Sequence, residues 1–181
     1  MRAQTGPFLF TRRAWAMPNR DTFSIGPVRE FILPYVQNCS NWSSVDPFAR
    51  RSELARVTND LNPDMPTHYH MDAEEFCKEM ARQGKVFDLA FFDPPYSPRQ
   101  ISECYKGIGR AVGSKETQNA ALYSRVRDAL LPILSPRAVV LSFGWNSNGM
   151  GRGRGFEILE LMLVAHGGAH NDTICLAEQR V

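Results

Sequence analysis

The chain has 181 residues and a mass of 20.4 kDa, the size of one domain, and its composition of 43% hydrophobic, 22% charged and 10% aromatic residues excludes a disordered, collagen-like or coiled-coil protein. No run approaches the ~18–20 apolar residues of a membrane helix. Gly6–Phe10 followed by Arg12 and Arg13 also lacks a signal peptide's apolar stretch, so a cytoplasmic protein without membrane association is expected.

The net charge of +2 hides an uneven distribution. Residues 1–20 carry four arginines and no acid, residues 46–96 six basic against ten acidic side chains, and residues 97–155 nine basic against three acidic. An acidic middle between basic segments suggests a carboxylate-rich ligand site beside surfaces able to meet a polyanion; a solvated charged surface is the plainer alternative. The four cysteines, Cys39, Cys77, Cys104 and Cys175, form no C-x-x-C pair and read as reduced, buried thiols.

In chain order, residues 1–21 are aperiodic, with Pro7, Pro18 and several arginines, and read as a basic N-terminal arm before a single domain over 22–181. Val28, Phe31, Ile32, Tyr35 and Val36 fall at helical spacing behind Pro27, with Pro34 placed to bend or shorten the helix. Short strands are predicted near Ser44-Val45, over 55–58 and over 67–70. The strongest, over 86–92, is apolar except for Asp88 and suits a strand buried on both faces. A helix over 73–84 closes at Gly84. Helices follow over about 98–111 and 115–134, the second disturbed by Pro132, then a strand over 138–143. Five glycines between 144 and 155 predict a mobile loop, and strands over 156–165 and 173–177 form a hairpin. Strands alternating with helices and ending in a hairpin describe an α/β sandwich, mostly parallel with an antiparallel edge.

The sharpest feature is Asp93-Pro94-Pro95-Tyr96, directly after the strongest strand. Ligands of open α/β sheets bind at the carboxyl ends of strands. A carboxylate or amide, two prolines and an aromatic ring in this order arise by chance in under ~1% of chains this long. The prolines remove two donors and hold the Pro94 carbonyl in place. An exocyclic amine offers two N–H donors, which the Asp93 carboxylate and the Pro94 carbonyl can both accept, while Tyr96 stacks on the ring bearing the amine. An ordinary rigid turn is the alternative.

This tetrapeptide resembles that of the N6-adenine DNA methyltransferases, and further segments are similar in the same order. Asp46-Pro47-Phe48 resembles the family's first S-adenosylmethionine motif, and Asp60 stands where an acidic residue holds the ribose hydroxyls. Asp72, before Ala73, matches the carboxylate that contacts the cofactor's adenine amine, and Phe23-Ser24-Ile25 matches the segment that closes over its methionine end. The resemblance implies a Rossmann-like class I methyltransferase sandwich with a mostly parallel seven-stranded sheet and a C-terminal antiparallel hairpin. It also implies S-adenosyl-L-methionine as cofactor, Asp93, Pro94, Pro95 and Tyr96 as catalytic residues, and methylation of adenine N6 in DNA, the base flipped or presented single-stranded.

The sequence departs from the family in two places. Arg50, Arg51 and Ser52 stand where glycines usually follow the first motif, and only 11 residues separate Asp46 from Thr58, so the first crossover helix is short or missing. No segment of these 181 residues is long enough for the target-recognition domain of larger relatives, so specificity is expected from loops, a homodimer or a recognition partner, in a restriction-modification, phage or regulatory setting. RNA adenine, a protein amide, or a catalytically inactive nucleic-acid-binding subunit are the alternatives. As single residues, Asp46 reads equally as a turn residue, and Asp60 and Asp72 as helix caps. Arg99, Trp145, Asn146, Arg152 and Arg154 are candidate nucleic-acid contacts, the two last either gripping phosphates or facing solvent. His166, His170 and Asp172 lack a third well-placed ligand, so no metal is expected.

Overall fold

The computed structural model describes residues 10–37, 43–95 and 119–181, with backbone alone over 119–122. The elements are β1 (Phe10–Trp15), α1 (Gly26–Gln37), β2 (Ser44–Asp46), β3 (Val57–Thr58), α2 (Ala73–Arg82), β4 (Phe87–Phe92), α3 (Asn119–Leu130), β5 (Leu134–Gly144), β6 (Phe156–Ala165) and β7 (Thr173–Arg180), with 3-10 turns at Thr22–Ser24, Leu131–Ile133 and Arg152–Arg154. The seven strands form one sheet in the order β1-β6-β7-β5-β4-β2-β3, in which β7 alone runs antiparallel to its neighbours. This is the expected α/β sandwich with its C-terminal hairpin.

Helices cover both faces of the sheet. On one face Val28, Phe31 and Ile32 of α1 pack with Leu89, Phe91, Leu141 and Phe143. On the other, Phe76, Cys77 and Met80 of α2 and Val126 and Leu130 of α3 pack with Phe87, Ala90, Phe92 and Val140. β4 is therefore apolar on both sides because both are covered. α2 starts where the Asp72 side chain accepts the Glu74 N–H at 3.0 Å, presents Glu74 and Glu75 to the positive end of its dipole, and stops before Gly84 at φ 65°. Cys77 and Cys175 are buried free thiols, and burial pushes the Cys77 thiol up to about 12.

Several boundaries differ from the sequence expectation. The stretch read as an arm supplies β1, an edge strand parallel to β6 with Phe10 opposite Glu160. The strand expected over 67–70 reduces to a single bridge between Asn59 and Tyr69, with Pro66 just before it. α1 runs through Pro34 to Gln37, and no helix lies between β2 and β3. β5 begins at Leu134, four residues earlier than expected. A bulge containing Pro136 and Arg137 (φ 68°) lets Phe87 pair with Leu134 and Leu89 with Val139. α3 gives way to a 3-10 turn at Pro132. The helix expected over 98–111 and residues Tyr96, Arg99, Cys39 and Cys104 lie outside the described residues.

Candidate functional site

Because β2, β3, β4 and β5 are parallel, their carboxyl ends share one edge of the sheet, and the loops leaving that edge bring Asp46, Asn59, Asp60 and Asp93 together. Asp46 is completely buried. Its Oδ1 accepts the Phe48 N–H at 2.9 Å, while its Oδ2 is buried without a hydrogen-bond partner among the described residues. Burial raises its pKa well above the usual carboxylate range, against the Phe48 hydrogen bond, and the charges of Asp93 and Asp60 add to the rise. A buried carboxylate oxygen left over in this way fits a cationic or N–H-donating ligand group.

The loop after Asp46-Pro47-Phe48 has an unusual glycine substitute. Arg50 adopts φ 49°, the left-handed conformation that glycine enters freely and other residues enter at a cost of roughly 1 kcal/mol or more. Its N–H donates to Asp60 Oδ2 at 3.1 Å, and its Nε pairs with Asp21 Oδ1 at 3.2 Å. Asp60 Oδ1 also accepts the Asn62 N–H at 2.8 Å. Both Asp60 oxygens thus hold loop backbone, each keeping one lone pair for a further donor.

Asn59 is the residue that sequence reasoning missed. Fully buried, it donates from Nδ2 to the carbonyls of Pro47 and Met71, both at 3.0 Å, and accepts the Met71 N–H at 2.9 Å. Its backbone N–H donates to Asp46 O and its carbonyl accepts from Ala49. One amide side chain therefore clamps the three loops that carry Asp46, Asp60 and Asp72. Its partners are backbone groups brought near by the fold, so no spacing in the sequence announces it. Asp72 caps α2 at the rim of this cluster.

Asp93 follows β4 directly and is half-buried, Pro94 is buried and Pro95 half-buried. The Asp93 charge adds to the raised pKa of Asp46, Tyr123 and Cys175, in each of which burial is the main cause. Tyr123 of α3 lies edge-on to Phe92 at 6.5 Å and Phe48 packs on the same ring at 5.7 Å. The Tyr123 hydroxyl and Ser142 Oγ are buried and make no hydrogen bond among the described residues. Phe23 packs on Phe91 and Phe143 at 5.5 and 4.9 Å, Ile25 is buried, and exposed Ser24 bonds back to the Asp21 carbonyl. Phe23 and Ile25 thus serve the core on the α1 face, and the Asp21–Arg50 pair ties their segment to the loop after β2.

The candidate nucleic-acid contacts separate. Trp145, 42% exposed, and Asn146, whose Oδ1 accepts the Asn148 N–H, leave β5 at the same edge as Asp93. Arg152 and Arg154 do not join them. The chain between β5 and β6 recrosses the sheet, so these arginines precede the amino end of β6, at the opposite edge. Arg154 donates to Asp128 Oδ1 at 2.7 Å, Ser124 Oγ at 2.9 Å and the Met150 carbonyl at 3.2 Å, which makes it a brace between the loop and α3. The loop expected to be mobile is pinned. Buried Glu178 accepts the Met150 and Gly151 N–H groups, Arg127 holds the Gly149 carbonyl at 2.8 Å, and a Cβ at Gly149 would fall 1.9 Å from Glu178 Oε2. His166 is buried and its ring bridges the Ala16 carbonyl at 2.7 Å and Thr173 Oγ1 at 2.8 Å, fastening β1 to the hairpin.

No protein-family model and no curated protein matches the chain in sequence. In three dimensions it is similar to the methyltransferase SMU.776 complexed with SAH, with a TM-score of 0.57 and 14% identity over 83% of this chain and 49% of that one. TrmN from Thermus thermophilus gives a TM-score of 0.56 and 14% identity over 87% and 49%, and the N-methyltransferase NodS from Bradyrhizobium japonicum 0.54 and 9% over 86% and 97%. The chain spans about half the length of SMU.776 and of TrmN. Its fold is the α/β Rossmann-like fold of S-adenosylmethionine-dependent methyltransferases.

Proposed function

We propose that the chain is an S-adenosyl-L-methionine-dependent methyltransferase that modifies the N6 amine of adenine in DNA. The observation that carries this reading is the juxtaposition of Asp93-Pro94-Pro95, held at the carboxyl end of β4, with the buried and half-satisfied carboxylate of Asp46. Asp46, Phe48, Asp60, Asp72 and Ala73 are the residues that would hold the cofactor, and the orphaned Asp46 Oδ2 is the feature of this site that fits one of its donor groups. When bound, S-adenosylmethionine supplies a methyl group on a sulfonium sulfur.

The chain's own residues handle the acceptor. The Asp93 carboxylate and the Pro94 carbonyl accept the two amine hydrogens, which turns the nitrogen lone pair out of conjugation with the ring. Positive charge that develops on the nitrogen is met by the Asp93 carboxylate, and the proton leaves after the new bond forms, so alignment and electrostatics matter more than base strength. Pro94 and Pro95 offer no backbone N–H to compete for these acceptors. Tyr96 is assigned the stacking of the target base. RNA adenine or a protein amide would present the same amine geometry, and the similarity to TrmN and to NodS leaves substrate class to experiment.

The test is incubation of the protein with labelled S-adenosylmethionine and DNA, RNA or protein, followed by nucleoside mass spectrometry. N6-methyladenine in DNA is expected, with label confined to RNA or protein contradicting the DNA assignment.

A further inference from the structure

The sheet edge opposite β3 carries an exposed strip that the proposed chemistry does not use. β1 is an edge strand whose residues alternate in role. Ala14 and Ala16 pack toward α1, and Arg12 pairs with Glu160 at 2.9 Å on that side. Arg13 and Trp15 point to the other face, where Leu163 opposite Arg13 is only half-buried. Trp15 is 66% exposed and Met17 60%. A Cβ on Gly167 would sit 3.5 Å from the Trp15 indole nitrogen, so the ring lies against the β6–β7 turn, and the His166 bridges hold that turn to β1.

The register places this strip beside the candidate site. Gly144 pairs with Ile174, Val164 with Thr173, and Ala14 with Val164, so Trp145 and the end of β1 lie at one level, three strand spacings or roughly 14 Å apart. Asp93 leaves the next strand beyond β5. The edge thus runs from Trp15 across the hairpin turn to Trp145 and then Asp93.

We propose that this edge, through Trp15 and Arg13, is a docking surface for single-stranded nucleic acid leading to Asp93; the inference rests on the proposed methyltransferase reading for what happens at Asp93. Charge favours this occupant. Glu160 neutralises Arg12 but not Arg13, which is exposed on β1, and Arg20 is exposed in the segment that follows. An exposed indole beside an exposed arginine suits unstacked bases and their phosphates, because every base has a face to stack and every linkage a charge. A paired duplex keeps its base faces stacked inside, out of reach of Trp15.

The experiment measures anisotropy of a short labelled mixed-sequence DNA oligonucleotide, single-stranded or annealed, with the full chain and with Trp15→Ala, Trp15→Phe and Arg13→Ala. The single strand is expected to bind more tightly than the duplex, Trp15→Ala to weaken it about tenfold, Trp15→Phe to retain most of the affinity, and Arg13→Ala to reduce the salt slope by about one. Wild-type affinity in Trp15→Ala, or preference for the duplex, overturns the proposal and leaves the strip to a protein partner. Calorimetry with S-adenosylhomocysteine separates the two readings. If the wild type binds it while Trp15→Ala keeps full oligonucleotide affinity, only the docking surface fails. If the wild type does not bind it while Trp15→Ala loses oligonucleotide affinity, only the methyltransferase reading fails.

Discussion

The two ends of the sheet solve opposite problems. Around β2, β3 and β4, polar loops are buried and locked: Asn59 clamps three of them, Arg50 is held in a left-handed conformation, and Asp46 keeps a buried oxygen without a partner among the described residues. At the β6–β1 end the surface is open, with apolar and basic side chains in solvent. The first arrangement preorganises a few groups at a cost in stability, as expected of a site that must fit one small ligand. The second sacrifices little, as expected of a surface that meets a flexible polymer. Substitutions in the locked loops after β2 and β3 should therefore change folding and small-ligand affinity together, and those at the second end should change macromolecular affinity alone.

The largest effect that would sharpen this contrast is at Asn59. Asn59→Ala strands the Met71 N–H and the carbonyls of Pro47 and Met71, and should lower stability by about 3 kcal/mol, read from urea melts. A loss below about 1 kcal/mol would break the idea that this end is locked. Gly149→Ala forces a Cβ into Glu178 and Leu176 and should cost about 2 kcal/mol in the same assay. Arg154→Ala should cost about 1 kcal/mol and leave oligonucleotide affinity unchanged, because its guanidinium is held on Asp128, Ser124 and Met150 at the edge away from Asp93; a drop in affinity would return it to the nucleic-acid surface.

The smallest effect is one of slope. The pKa of Asp46 is raised by burial, so between the ordinary carboxylate value and its raised value the folded state holds a proton that the unfolded state has released. Its contribution to stability therefore declines as pH rises through that window, and Asp46→Asn should flatten the pH dependence there. An unchanged slope in melts at several pH values would mean that Asp46 is not the group responsible.

How far the sequence carried the reading depends on where each residue's partners lie. β6 was legible to the residue and β4 nearly so, because runs of apolar residues mark a strand without knowledge of its neighbours, although only β4 is buried along almost its whole length. The Asp-Pro-Pro placement after β4 was legible for the same reason. β1 was not, since Phe10-Thr11-Arg12-Arg13-Ala14-Trp15 shows no apolar alternation and its partner among the described residues, β6, lies about 150 residues away, Phe10 against Glu160. The position of Arg152 and Arg154 was not legible, because glycine-rich composition signals a loop but not the edge to which it returns. Arg50 occupies a glycine's conformation without a glycine, held by Asp60 and Asp21, which composition cannot show.

The central claim is that Asp93 aligns an amine for methyl transfer in a site that binds the donor independently. Purified Asp93→Ala should bind S-adenosylhomocysteine in calorimetry as the wild type does, yet yield no methylated nucleoside by mass spectrometry. Methylation at the wild-type level in that variant would contradict the account.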